Sequence, residues 1–225
     1  PPPPPPPPPL FFFFMIRRPP RSTLDRSSAA SDVYKRQVLG GGNIFRGRDL
    51  KDIKIDRVSA DYIGMLSTIM NGIALSNFLR EKGHSNKLFS SFAIGNFVQA
   101  YNTEDALNAL MNQKVVLLVG GIGNPLFTTD STASIRANEL EVDFMLKATN
   151  VNGVYDTDPK ENPKAKKFEN LTFDDAINQN LQVMDQTALC FCRDNNLQVR
   201  VFNADEKDGF EKAISGEEIG TLLKN

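Results

Sequence analysis

The chain has 225 residues, of which 40% are hydrophobic and 24% are charged, and this mixed composition excludes a collagen, a coiled coil and a wholly disordered protein. It carries 26 basic and 27 acidic residues; six basic and two acidic ones lie in residues 1–37, which leaves 20 and 25 for the remainder. The resulting formal charge of −5 over residues 38–225 argues against a protein that binds nucleic acid through excess positive charge.

Residues 1–37 differ from the rest of the chain. Nine prolines precede the apolar run LFFFFMI at 10–16, and arginines follow it. This run is far shorter than the ~20 residues of a membrane span, and a secretory signal carries its positive charge before the apolar core. We interpret residues 1–37 as an adapter-like, artefactual or disordered tail outside the fold. The alternatives are a natural disordered extension and a proline motif for membrane or SH3-type binding.

Two cysteines and one histidine limit the chemistry of the chain. Cys190 and Cys192 are two residues apart in a helix-like stretch, where side chains do not share a face, so a local disulfide is not expected. No cluster of cysteines and histidines predicts a zinc site. His84 lies in a polar turn, which disfavours a reaction with a histidine base. The cysteine usage predicts a reducing, cytoplasmic compartment.

Helix and strand periodicities alternate from Val38, which is expected to lie inside a strand. Apolar residues at spacings of three and four predict a helix over 57–83, and Asn102 or Thr103 is expected to cap the next one. The residues assigned to the inner faces of these two helices are Tyr62, Met65, Leu66, Ile69, Met70, Ile73 and Leu79, and then Ala106, Leu107, Leu110 and Met111. The later elements are strands over 114–121, 143–149, 198–203 and 221–223, and helices over 131–141, 172–180, 184–195 and 208–215.

This alternation predicts an α/β fold with a mostly parallel sheet and helices on both faces. Ligands bind such sheets at the carboxyl ends of the strands. Three loops are expected there, and we number them in chain order.

The first loop, GGGNIFRG at 40–47, has three glycines whose backbone amides can approach an anion closely. Arg46 is placed to pair with phosphate oxygens in a bidentate way. The loop matches neither the GxGxxG nor the Walker pattern. A plain turn without a ligand is the alternative.

The second loop, GGIGNPLFTTDS at 120–131, leads from the most apolar strand into a helix. Thr128, Thr129 and Asp130 stand at the start of that helix, where unpaired amides and the positive helix end favour a phosphate. The alternative is that Thr129 or Asp130 only caps the helix.

The third loop is KATNVNGVYDTDP at 147–159. Lys147 ends a strand at the same sheet edge, Tyr155 offers a ring to a base, and Asp158 offers an acceptor. Phosphoryl transfer to a nucleoside monophosphate suits these loops, because its phosphate is largely ionised at neutral pH and needs no histidine base. Catalysis then depends on alignment and charge neutralisation.

The motifs GGGNIFRG, SADYIGMLSTIMNGIAL, GIGNPLFTTDS, KATNVNGVYDTDP, VMDQTAL and VRVFN, in this order, resemble the bacterial uridylate kinases of the amino acid kinase superfamily. The resemblance covers residues 38–225. It implies a three-layer α/β sandwich that converts ATP and UMP to ADP and UDP with Mg²⁺, in pyrimidine nucleotide biosynthesis. It also implies a homohexamer with GTP and UTP as effectors. The acidic charge and the short apolar run described above predict no nucleic-acid or membrane partner.

The resemblance also implies roles for individual residues. Gly41 and Asp61 would contact UMP, and Gly42 and Arg46 would contact phosphates. The rest of the UMP site would be Ile122, Gly123, Asn124, Pro125, Leu126, Phe127, Thr128 and Thr129. The ATP adenosine would meet Thr149, Tyr155 and Asp158. The superfamily suggests Lys147 as a charge stabiliser and Asp130 as the organiser of lysine or magnesium. Asp185 matches a family position, but no role for it follows from the sequence.

One part of the family pattern is missing. The family begins with a strand that ends in a Lys-x-Ser-Gly-Glu loop and is followed by a helix, but the tail stands in that place here. Loss of a positioned cation raises the barrier by several kcal/mol, and a missing interior strand leaves sheet edges bare. The fold is therefore expected to lack the first strand and helix. We expect the chain as written to be nearly inactive and prone to aggregate, and the full-length gene product to be active.

Other functions remain as alternatives. A superfamily kinase acting on carbamate, aspartate, glutamate or acetylglutamate is the nearest, although GNPLFTTD suits a nucleotide acceptor better than a carboxylate. An inactive nucleotide-binding or assembly protein is another. A dinucleotide oxidoreductase lacks its glycine fingerprint.

Overall fold

The computed structural model of the protein describes residues 12–17, 34–45, 55–159 and 161–225. Arg46, the predicted phosphate contact of the first loop, lies outside these ranges. In chain order the strands are β1 (Phe12–Arg17), β2 (Tyr34–Leu39), β3 (Asn86–Ser90), β4 (Gln99–Ala100), β5 (Val115–Val119), β6 (Phe144–Thr149), β7 (Val154–Tyr155), β8 (Lys167–Phe168), β9 (Asn170–Thr172), β10 (Gln198–Asn203) and β11 (Thr221–Lys224). The helices are α1 (Arg57–Glu81), α2 (Thr103–Met111), α3 (Thr129–Glu139), α4 (Phe173–Asn178), α5 (Gln186–Asp194) and α6 (Gly209–Ser215).

Nine of the described strands form one sheet in the order β4-β3-β5-β2-β1-β6-β10-β11-β9, and β7 and β8 form a separate antiparallel pair. Strands β2, β3, β5, β6 and β10 all run in one direction. Their carboxyl ends therefore meet at one edge of the sheet, where the three glycine-rich or polar loops begin. The predicted α/β fold with a mostly parallel sheet is confirmed.

Strand β1 is the main difference from the sequence-based expectation. It runs antiparallel between β2 and β6, and Met15, which is 1% exposed, lies opposite Arg36 and Met145. Residues 12–17 and 34–37 thus belong to the sheet, although the sequence led us to leave residues 1–37 outside the fold. The neighbouring strand edges are also paired rather than bare. Phenylalanine and isoleucine favour strands. The edges of β2 and β6 offer backbone groups with which such a segment can pair.

Helices cover both faces of the sheet and make the fold three-layered. On one face, Ile69 of α1 packs with Leu39 and Val119, and α6 covers the neighbouring strands β6 and β10. On the other face, α2, α3 and α5 bury the side chains that alternate with these, including Val38 and Leu118.

Helix α1 has several of its large apolar side chains on the outside. Four of the residues assigned to its inner face, Tyr62, Leu66, Met70 and Ile73, are 39–59% exposed. The buried face is formed mainly by small residues, among them Ser67, Thr68, Gly72 and Ser76. A Cβ at Gly72 would lie 2.6 Å from Val119 Cγ1, so the helix packs closely on the sheet. Met111 of α2 is likewise 65% exposed instead of buried.

Helix α1 is also the one described helix that is long and apolar enough to cross a membrane by length and composition. A core helix can pass the same test, and α1 packs on β2, β3 and β5. Packing on the sheet explains only part of its apolar sequence, because many of its large apolar side chains are on the exposed outer face.

The contact between α3 and α5 buries Cys192, whose Sγ lies 3.4 Å from Ser134 Oγ. Burial raises the pKa of the Cys192 thiol from 9.0 to about 11. Cys190 of the same helix is only partly buried.

The raised pKa of Cys192 predicts a loss of stability at high pH. Between pH 9 and 11 the unfolded chain releases the thiol proton and the folded chain retains it, so the free energy of unfolding falls as pH rises. The full difference is roughly 2 to 3 kcal/mol. Urea denaturation at about pH 8 and about pH 10.5 should show that the free energy of unfolding declines less in Cys192→Ala than in the parent chain. The control Cys190→Ala should behave like the parent, and equal declines in all three chains would contradict the prediction.

Candidate active site

The first loop lies closely against α1. A Cβ at Gly41 would be 2.8 Å from the carbonyl oxygen of Gly64, so no side chain fits there. The amide of Asn71 donates to the carbonyl oxygen of Gly40 at 2.8 Å and to Asn43 Oδ1 at 2.7 Å. Close packing thus explains the glycine at 41 and holds the loop backbone beside the helix.

Two side chains of α1 hold the second loop. Asp61 Oδ2 accepts a hydrogen bond from the backbone N–H of Leu126 at 2.8 Å, and both of its oxygens accept from Arg57 Nε at 3.1 Å. Leu126 has a φ of +72°, a conformation that residues other than glycine seldom adopt. Seven residues after Asp61, Thr68 Oγ1 accepts from the N–H of Gly120 at 2.7 Å. The start and the middle of the loop are therefore held by one helix.

A cleft of about 910 Å³ lies between the two loops and α1. Small-molecule sites usually measure roughly 300–1,000 Å³, so a nucleotide is a suitable occupant by size. Seven of the predicted site residues line the cleft: Gly41, Gly42, Asp61, Ile122, Phe127, Thr128 and Thr129. The other predicted UMP contacts, Gly123, Asn124, Pro125 and Leu126, do not line it.

Thr128 begins helix α3. Its Oγ1 accepts hydrogen bonds from the N–H groups of Asp130 at 3.0 Å and Ser131 at 3.3 Å, which makes Thr128 the N-cap instead of Thr129 or Asp130. The helix therefore points its positive end towards the cleft, which favours an anion there.

Lys147 and Asp130 form an ion pair behind this helix start. Lys147 Nζ is 2.9 Å from each carboxylate oxygen of Asp130 and donates to the carbonyl oxygen of Val183 at 2.7 Å. Lys147 is 8% exposed, so protein groups replace most of the water around its charge. Because Asp130 directly follows Thr129, which lines the cleft, the buried ammonium group of Lys147 lies next to the cleft.

The predicted ATP contacts of the third loop do not line this cleft. Thr149, at the end of β6, is buried, and its hydroxyl group donates to the carbonyl oxygens of Val151 at 2.8 Å and Phe202 at 3.3 Å. The hydroxyl group of Tyr155 donates to Asn152 Oδ1. Asp158 is exposed. These residues follow the carboxyl end of β6, at the same sheet edge as the cleft.

A second cleft of about 770 Å³ opens between the C-terminal half of α1 and the segment that leads to β4. Two basic side chains, Arg80 and Lys87, line it together with Ser76 and Asn86. These four residues lie outside the three predicted loops.

Sequence reasoning also missed several residues that hold the first cleft together. Gly64, Thr68 and Asn71 follow Asp61 along α1 at spacings of three and four, so they share one face. A stripe of small and polar residues within an apolar helix was the available signal. No role for Asp185 followed from the sequence, because the two hydroxyl groups that donate to its carboxylate are more than 50 positions away in the chain.

Comparisons with known proteins agree with this architecture. The amino acid kinase family model matches residues 31–203. The uridylate kinase of Haemophilus influenzae (strain PittGG) is 44% identical over 186 residues, which cover 83% of this chain and 78% of that protein. The uridylate kinase of Bacteroides thetaiotaomicron is 43% identical over 188 residues, 84% of this chain and 80% of that protein.

Solved structures give the same result. The crystal structure of UMP kinase from Bacillus anthracis has a TM-score of 0.79 and 41% identity, and the match covers 82% of this chain and 77% of that one. The UMP kinase from Ureaplasma parvum has a TM-score of 0.78 and 40% identity, with coverages of 83% and 80%.

Proposed function

Because this chain belongs to the amino acid kinase family, we propose that it is a nucleoside monophosphate kinase that transfers the γ-phosphoryl group of ATP to UMP. The products are ADP and UDP, which places the reaction in pyrimidine nucleotide synthesis. The names of its relatives support UMP as the acceptor. The observation that carries the assignment of the site is the cleft between the first two loops, with the Lys147–Asp130 pair beside it.

UMP would occupy this first cleft. Asp61 contributes a carboxylate to the lining and would accept hydrogen bonds from the ribose hydroxyls. Thr128 and Thr129, at the positive end of α3, would face the phosphate. Gly41, Ile122 and Phe127 would surround the nucleoside.

Catalysis would rest on charge neutralisation and alignment. The attacking phosphate oxygen of UMP is already ionised near pH 7, so no protein base has to remove a proton. Lys147 would stabilise the negative charge that spreads over the transferring phosphoryl group. Asp130 holds the ammonium group in place from both of its oxygens. Arg46 would pair with phosphate oxygens from the end of the first loop.

ATP would approach from the third loop. Thr149, Tyr155 and Asp158 would surround the adenosine, and Gly42 would lie at the phosphates. Magnesium bound to those phosphates supplies further charge neutralisation. Mg²⁺ is usually held by one or two carboxylates together with substrate phosphates, and Asp130 is suited to such a role. Within the described ranges, no group of three metal-binding side chains could hold an ion without the nucleotide.

A panel of acceptors tests the proposed reaction. ADP release from ATP is measured with UMP, CMP, carbamate, aspartate, glutamate and acetylglutamate, each over a range of concentrations. UMP is expected to give the highest kcat/KM. Faster turnover of an amino acid or of carbamate would assign the chain to another kinase of the superfamily. Nucleotide binding without turnover of any acceptor would favour a non-catalytic nucleotide-binding protein.

The outer face of α1 supports a homo-oligomer. Tyr62, Leu66, Met70 and Ile73 form an exposed apolar stripe, and Val58 extends it by one turn towards the start of α1. A patch of this kind usually marks an interaction site, and a second copy of α1 offers a matching surface. We propose that copies of the chain associate through this stripe, within the hexamer that the family resemblance suggests.

Met70→Glu is expected to weaken this association. A carboxylate in the middle of the apolar stripe would lose its water on assembly without gaining a partner. Sedimentation velocity should show a smaller assembly at equal concentration. Met111→Glu is the matched control, because Met111 is similarly exposed but lies on α2, in the opposite layer. An unchanged assembly for Met70→Glu, or an equal loss for both variants, would contradict the proposed interface.

The second cleft is our proposed site for effector nucleotides such as GTP and UTP. Arg80 and Lys87 supply positive charge for phosphates there. We further propose that the protein acts in the cytoplasm, where its nucleotide substrates are found and thiols such as Cys190 stay reduced.

A further inference from the structure

Asp185 links two helices at the proposed phosphoryl-transfer site. It is the N-cap of α5, where its Oδ1 accepts a hydrogen bond from the N–H of Ala188 at 2.9 Å. The same carboxylate accepts hydrogen bonds from two hydroxyl groups of another helix, those of Thr128 and Ser131. The Ser131 Oγ atom is 3.0 Å from Oδ1 and 2.9 Å from Oδ2.

An ordinary cap does not make such contacts. Asp56, which caps α1, uses both carboxylate oxygens within its own helix, on the N–H and the hydroxyl group of Ser59. Asp185 instead joins the starts of α3 and α5. Because both helix ends carry partial positive charge, a carboxylate between them stabilises their approach.

The backbone around Asp185 also holds the catalytic ion pair. The N–H of Asp185 donates to Asp130 Oδ2 at 3.3 Å, and the carbonyl oxygen of Val183 accepts from Lys147 Nζ at 2.7 Å. Residues 183–185 therefore contact both members of the ion pair, while the Asp185 side chain holds Thr128 at the wall of the first cleft.

We propose that Asp185 is a positioning residue for phosphoryl transfer, and this inference rests on the proposed placement of UMP in the first cleft. Its carboxylate fixes the first turn of α3. Thr128 and Thr129 are thereby held towards the acceptor, and Asp130 is held towards Lys147. Displacement by about 1 Å can lower a catalytic rate by ~100-fold, so a tie of this kind matters for turnover.

Asp185→Ser keeps a capping residue on α5 but removes the hydrogen bonds from Thr128 and Ser131. Serine is a good N-cap, but its short side chain does not reach both hydroxyl groups of α3. We expect kcat to fall about 10- to 100-fold and the KM for UMP to rise several-fold, with the KM for ATP within about twofold of the parent. Asp185→Glu, which keeps the charge and gains reach, should recover part of kcat. Asn102→Ser exchanges the N-cap of α2 and is the control for loss of helix stability.

A double-mutant cycle with Ser131 shows whether Asp185 affects kcat through α3. If Asp185 acts through α3, Ser131→Ala should lower kcat much less in the Asp185→Ser background than in the parent chain. Additive losses, or a melting temperature that falls in step with kcat, would reduce Asp185 to a structural cap and overturn the proposal. So would unchanged kinetics for Asp185→Ser.

Measuring the UMP affinity of Asp61→Ala distinguishes a failure of the Asp185 proposal from a failure of the proposed UMP site. Weaker UMP binding in Asp61→Ala together with normal kinetics in Asp185→Ser would overturn only the role of Asp185. Unchanged UMP binding in Asp61→Ala would overturn the proposed acceptor site, and the positioning role with it.

Discussion

Lys147→Met is expected to lower kcat by roughly 100- to 1,000-fold relative to the same chain without the substitution. Methionine keeps most of the side-chain length but removes the only charge that the described part of β6 places beside Asp130. The transferring phosphoryl group would lose a fixed cation, while UMP and ATP would keep their other contacts. The KM values should therefore change much less than kcat. A coupled assay of ADP release measures both.

Stability requires a separate control, because Lys147→Met leaves the carboxylate of Asp130 without its cation. The variant is expected to unfold more easily, since a partly buried charge without a partner is unfavourable. The double variant Lys147→Met/Asp130→Asn removes both charges and should recover stability without recovering turnover. A double variant that regains activity would show that Lys147 acts only in folding, and full activity of the single variant would exclude any catalytic role.

Asp61→Ala is expected to raise the dissociation constant for UMP by ~10- to 100-fold, the usual range for a hydrogen bond to a charged group. Two effects contribute. The ribose would lose its proposed acceptor, and the second loop would lose the hydrogen bond at the backbone N–H of Leu126. Because Leu126 has a positive φ, the loop should relax to another conformation once this bond is lost.

Isothermal titration with UMP measures the effect without depending on turnover. Glu81→Ala is the matched control, since Glu81 is an exposed carboxylate at the other end of α1, where it accepts a hydrogen bond from Asn77 at 2.8 Å. We expect parental UMP affinity for Glu81→Ala and parental ATP affinity for both variants. Equal UMP affinity in Asp61→Ala and the parent would place the acceptor elsewhere.

The sequence predicted most elements of the fold because its periodicities are strong. The strand over 198–203 coincides with β10, and α1 ends within two residues of Gly83. What the periodicity could not decide is which face of α1 meets the sheet, because small residues at Gly72 and Ser76 allow closer packing than the large apolar ones. Strand β3 was missed, since NKLFS is short and half polar.

The candidate site was predictable in part for a similar reason. Glycine-rich turns after apolar strands mark the ligand edge of a parallel sheet, so the first two loops could be found from the sequence alone. The sequence could not decide which residue caps α3, because all three residues of TTD can cap a helix. In the structure the cap is Thr128, whose hydroxyl group also donates to Asp185. The tie made by Asp185 is a long-range contact with no local signal.

Strand β1 has a consequence for the alignment of the two nucleotides. In the described part of the sheet, β2 and β6 each pair with Phe12–Arg17 and not with one another. The strands on one side carry the loops around the proposed acceptor, and those on the other side carry Lys147 and Thr149. In the proposed arrangement, the distance between donor and acceptor phosphates would be set across this single six-residue strand. A shift in the pairing register of β1 would displace one half of the proposed site relative to the other without altering any residue proposed to contact a nucleotide.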